Sequence, residues 1–127
     1  MVHLLLDTHA LIWWLAGDPS LSAGARDVIS DLANEVFVSA ASAWEIATKY
    51  RIGKLPRAQA RAVDVSGAIA RQGFSALPIT ALHGQTAGCL PGPHRDPFDR
   101  MLIAQAALAG LVLVSNGLRR YGVRRLC

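Results

Sequence analysis

Four short apolar runs, each closed by a polar break, punctuate the chain: VHLLL (2–6), VFVSA (36–40), FSALPI (74–79) and LVLVS (111–115). Runs of this length, rich in Val, Leu and Phe and bounded by turn residues, suit strands buried on both faces. Between them the apolar residues recur at helical spacing. THALIWWLA (8–16) stops at Gly17-Asp18-Pro19, SAGARDVISDLAN (22–34) is amphipathic, and SAWEIATKYRIGK (42–54) ends near Gly53. Residues 57–72 read as a further helix broken at Gly73, a short helix follows Thr80, and DPFDRMLIAQAALAG (96–110) is the clearest of all. YGVRRL (121–126) adds an edge strand. Strands that alternate with helices predict an α/β fold with a mainly parallel sheet and helices on both faces. In such sheets ligands sit beyond the carboxyl ends of the strands. The residues that follow each apolar run are therefore the first place to look for chemistry.

The 127 residues fit a single domain spanning 1–127, and a hydrophobic content of 52% supplies a real core. No apolar run approaches the ~20 residues that span a bilayer, and MVHLLLD lacks the basic start of a signal peptide. The two cysteines, Cys89 and Cys127, have no zinc-like spacing, so the expectation is a reduced, cytoplasmic protein with two ordinary thiols. Charge is unevenly spread. Residues 1–48 hold six acids and one basic residue, whereas residues 49–127 hold three acids and twelve basic residues. Such asymmetry fits one surface meeting a polyanion, or simply a basic solvated face.

Three acids share one kind of location. Asp7 directly follows the first apolar run, Glu45 lies in SAWE just after the second, and Asp99 lies in DPFD at the start of the clearest helix. Each has a local explanation. Asp7 can cap the next helix. Ser42 and Glu45 fit a capping box, which puts Glu45 in a first turn, as Asp99 is in its own helix. Asp96 is a natural cap with Pro97 at the first helical position. Their joint placement says more. Carboxylates gathered above a sheet repel one another, and a divalent cation removes that cost. Magnesium takes hard oxygen ligands, commonly one or two carboxylates with water completing the shell. An acidic metal site beside a basic surface is the pattern of a nuclease, in which the surface holds phosphates and the metal helps to cut them.

LLLDTHALIWWL, VSAASAWEIATKYRIGKL, HRDPFDRMLIAQA and YGVRRL together resemble the PIN-domain toxins of type II toxin–antitoxin systems, the VapC group. The likeness runs in order from Val2 to Leu126. It implies a three-layer α/β/α sandwich and a metal-dependent endoribonuclease using Mg2+ or Mn2+, cutting RNA to 5′-phosphate and 3′-hydroxyl ends. The family's acids fall on Asp7, Glu45 and Asp99, with Asp7 and Asp99 as metal ligands and Glu45 orienting or deprotonating the attacking water. Thr8 matches the polar residue after the first acid, and Asp96 an acid common in this subgroup, a helix cap that supports the site. The family also implies an RNA substrate, a cognate antitoxin and a homodimer.

The chain departs from the pattern at Ser115-Asn116-Gly117. Many relatives place a fourth acid there. Ser115 matches the hydroxyl residue, Asn116 offers a neutral amide oxygen, and no acid follows Asp99. The alternative reading is thus a weakened or inert module that binds RNA or an antitoxin without cutting. Lys49, Arg51, Lys54, Arg57 and Arg61 form a basic run with no acid between Glu45 and Asp64, placed to hold RNA phosphates. Arg119, Arg120, Arg124 and Arg125 form a second basic group. Trp13, Trp14 and Trp44 read as core or dimer packing, and His3, His9, His83 and His94 show no ligand spacing. A phosphoacceptor receiver would need paired acids after the first strand and a Lys after the last. A dinucleotide binder would need G-x-G-x-x-G. The chain has neither.

Overall fold

The structure is a computed structural model that describes residues 1–57, 59, 63–92 and 96–115, together with the backbone of residues 118–120. Five strands form one sheet: β1 (His3–Leu6), β2 (Glu35–Ser39), β3 (Ser75–Leu77), β4 (Val112–Val114) and β5 (Leu118–Arg120), in the order β3-β2-β1-β4-β5. The first four are mutually parallel and β5 runs antiparallel to β4. Six helices complete the described fold: α1 (Thr8–Ala16), α2 (Ala23–Ser30), α3 (Ala40–Arg51), α4 (Val65–Gln72), α5 (Ala81–Cys89) and α6 (Pro97–Ala109).

The all-leucine run of β1 has a direct cause. It lies in the middle of the sheet with helices packed on both faces, so successive side chains must be apolar on both sides. Leu4 and Leu6 join Val36, Val38, Val112 and Val114 in a core packed by residues of α1, α2, α3 and α4. Leu5 points the other way, to Leu113, Leu102, Ile103 and Ala106, where α6 covers the sheet. Each buried leucine contributes about 2 kcal/mol. This period-two division makes the three-layer α/β/α sandwich that the sequence predicts.

The element boundaries differ in places. Helix α2 ends at Ser30, because Asp31 and Asn34 turn the chain into β2. The Asp31 carboxylate accepts from Ala33 N, and Asn34 bonds both Val2 N and Val28 O. Of the helix expected over 57–72, the described residues hold α4 at Val65–Gln72, which Asp64 caps by accepting from Gly67 N at 3.1 Å. The strand expected over 121–126 lies outside the described residues. Cys89 is disulfide-bonded, which corrects the expectation that it is an ordinary thiol; Cys127 lies outside the described residues. Trp13 and Trp14 pack against the core as expected, with Trp14 Nε1 donating to Gln72 Oε1 at 3.0 Å. Trp44 does not join the core, being 66% exposed. Among the described residues, no helix is long and apolar enough to cross a membrane.

Candidate active site

Three helix starts lie at the carboxyl edge of the parallel sheet. Asp7 follows β1 immediately, and its amide donates to Val114 O at 2.9 Å, tying it to the end of β4. Its Oδ1 caps α1 by accepting from Ala10 N at 2.7 Å. The cap and the site therefore share one side chain. Burial pushes the Asp7 carboxyl above its ordinary value; the nearby charges of Asp99 and Glu45 push the same way, while the Ala10 amide and His9 oppose them. The field at Asp7 thus registers both other acids, brought from α3 and α6.

Glu45 is almost fully buried, with 5% of its surface exposed. One carboxylate oxygen accepts from Thr8 Oγ1 at 2.6 Å, and Thr8 Oγ1 also lies 3.2 Å from Ser42 Oγ. The other oxygen pairs with Lys49 Nζ at 2.9 Å, one helical turn on. The expected Ser42–Glu45 capping box does not form. Ser39, at the end of β2, takes the cap by accepting from Ala41 N at 3.0 Å, so α3 begins at Ala40 and Glu45 sits in its second turn. Ser42 instead faces Thr8 within the buried network.

Asp96 caps α6 as expected, accepting from Phe98 N at 2.8 Å and from Asp99 N at 3.3 Å. Asp99 occupies the first turn behind Pro97, where the helix dipole favours negative charge. Trp44 and Phe98, each beside one of the acids, meet edge to face at 5.1 Å and join α3 to α6 at the rim. Ser115 follows β4 and is half-buried, while Asn116 lies outside the described residues. Of the basic run, Lys49 is the partner of Glu45, and Arg51, Lys54 and Arg57 are exposed; Arg61 lies outside the described residues. The sequence does not disclose the Ser42–Thr8 contact, whereas the i,i+4 spacing of Glu45 and Lys49 is a signal for their ion pair.

Among the described residues, no three His, Cys, Asp or Glu side chains are gathered closely enough to enclose a metal ion by themselves. The donor chemistry nevertheless suits a hard divalent cation. Asp7 is opposed in ionising by burial and by two other carboxylates, and one or two carboxylates with water are a usual magnesium shell.

Residues 4–125 match the family model described as PIN domain. A ribonuclease of Mycobacterium tuberculosis, VapC16, is 42% identical over 73 residues, covering 54% of this chain and 50% of that protein. The chain thus spans about half the length of this curated relative. The crystal structure of VapBC2 from Rickettsia felis, bound to a DNA fragment from its promoter, superposes with a TM-score of 0.63 at 15% identity. That likeness covers 92% of this chain and 89% of that one, and it concerns the fold. With a family match over nearly its whole length, this chain belongs to the PIN domain family.

Proposed function

We propose that the chain is a VapC-type endoribonuclease toxin, dependent on Mg2+ or Mn2+ and neutralised by a cognate antitoxin. The observation that carries this reading is the convergence of Asp7, Glu45 and Asp99, from three separate elements, into one electrostatic neighbourhood. Likeness to a protein named as a ribonuclease supports the activity, and likeness to a toxin–antitoxin complex supports the partner.

In this reading Asp7 and Asp99 hold the metal. A bound divalent ion supplies positive charge to a phosphoryl oxygen and acidifies water. Glu45, held in place by Thr8, orients or deprotonates the attacking water. Asp96 fixes the start of α6 and hence Asp99, while Ser115 and Asn116 border the site from the end of β4. Arg51, Lys54, Arg57 and Arg61, with Lys49 at the inner edge, receive RNA phosphates. Attack in line leaves 5′-phosphate and 3′-hydroxyl ends. The exposed Trp44, Tyr50 and Ile52 on and beside α3 suit pairing into a homodimer.

The test is an RNase assay of purified protein with Mg2+, with Mn2+ and in excess EDTA. Cleavage should require the ion and fall at least a hundredfold in Asp7→Asn and Asp99→Asn, with both variants folded by circular dichroism. Full activity in EDTA or in either variant overturns the reading. Asn116→Asp asks whether a fourth carboxylate raises activity. If the wild type binds RNA but cuts none with either ion, it is the inert binding module.

A further inference from the structure

The pairing of Glu45 deepens the metal-dependent reading and rests on it. Both carboxylate oxygens of Glu45 are engaged inside the protein, one by the Thr8 hydroxyl and the other by the Lys49 ammonium. The carboxylate is almost fully buried, whereas the lysine side chain is about one third exposed and reaches inward from solvent. A second cation brought to Glu45 would be repelled by this ammonium or would have to displace it. Breaking one partner out of a buried ion pair is costly, because the remaining charge is left without solvent or counter-charge. The reading above gives the metal to Asp7 and Asp99, whose two charges balance one divalent ion. The sequence also offers no acid after Asp99 with which to build a second metal position.

We propose that Lys49 is a resident cation that takes the place of a second divalent ion at Glu45, so that the site holds one metal ion, on Asp7 and Asp99. Lys49 is then a positioning residue: it fixes Glu45 next to the metal without making it a ligand. The missing acid after β4 and the lysine in α3 become two parts of one arrangement, since both lower the negative charge available to a second ion. Two-metal clamps stabilise both the attacking and the leaving oxygen. Here a fixed protein charge stands on one side instead.

The experiment is titration of purified protein with MnCl2, followed by calorimetry and by electron paramagnetic resonance to count bound ions per chain. Wild type and Lys49→Arg should each bind one ion. Lys49→Gln should bind a second ion, or bind the first about tenfold more tightly as a positive charge leaves the site. Lys49→Met serves as a second neutral variant if Lys49→Gln folds poorly. In a Glu45→Gln background the Lys49→Gln change should no longer add an ion. Two ions in the wild type, or identical stoichiometry and affinity in Lys49→Gln, overturn the proposal and leave the metal-dependent reading standing. Absence of Mn2+ binding in every protein overturns both.

Discussion

The Asp7 carboxylate caps α1 through Oδ1 while lying among other acids, and the two circumstances pull in opposite directions. A carboxyl whose folded value is raised prefers its neutral form in the native state. Ionising Asp7 therefore costs stability above the folded value, and the cost fades as pH falls through it towards 3.8, below which Asp7 is protonated folded or unfolded. Asn caps a helix as well as Asp does. Asp7→Asn should thus melt at a higher temperature than the wild type at neutral pH, with the difference closing on acidification, even as activity disappears. Thermal melts across pH check this; a variant less stable than the wild type at pH 7 would contradict it. At this scale the acids were readable because each follows an apolar run or stands beside a helical proline. The partner choice of Glu45 was not. Ser39 and Ser42 both offer a hydroxyl near the start of α3, and where β2 stops decides which one caps. That stopping point is set by sheet pairing and not by local spacing.

At the scale of elements, α6 organises its own neighbourhood. Helix α5 ends without a left-handed cap and without a basic residue in its last turn, which leaves its final carbonyls wanting donors. Arg100 supplies them from α6, donating to Ala87 O at 2.9 Å, to Gly88 O at 3.3 Å and to Leu90 O. Gln105, fully buried, donates to Pro78 O at 3.3 Å and ties α6 to the segment before α5. The DPFDRMLIAQA stretch is thus a cap, an acid, a clamp and a tether in succession, which is why it stands out in sequence. Arg100→Ala should lower unfolding free energy by about 2 kcal/mol, because orphaned carbonyls and a charged donor are lost together. Urea denaturation measures it, and a variant within 0.5 kcal/mol of the wild type would show that water replaces the clamp at no cost. The helices themselves were legible from periodicity and caps, α1 and α6 most closely. The start of α4 was not, because the apolar spacing of 57–72 runs past Asp64, whose side chain caps the helix.

At the scale of the molecule, the acidic first part and the basic remainder meet along α3 and just beyond it, where Glu45 lies inside and Arg51 and Lys54 lie in solvent. Affinity for single-stranded RNA, measured in the Asp7→Asn background so that nothing is cut, should fall steeply with salt. Arg51→Ala and Lys54→Ala should each reduce the slope of log affinity against log salt by about 0.7. A slope left unchanged by both would remove this face from the phosphate track. The α/β class and layer order were legible because a parallel sheet buried on both faces leaves continuous apolar runs. The order of the strands in space was not, because pairing partners are chosen by the whole fold.

That order has a consequence for how the protein is made. The central strand β1 is translated before the other strands, yet Leu4 pairs with Val112, and the Asp7 amide with Val114 O. Contacts between such distant parts of a chain form late, after the intervening loop has been closed. A nascent polypeptide therefore carries Asp7 and Glu45 long before it carries Asp99, and the three acids cannot meet until β4 has cleared the exit tunnel. On the proposed function, this topology is a delay: the site would be incomplete for as long as Asp99 and β4 remain to be translated.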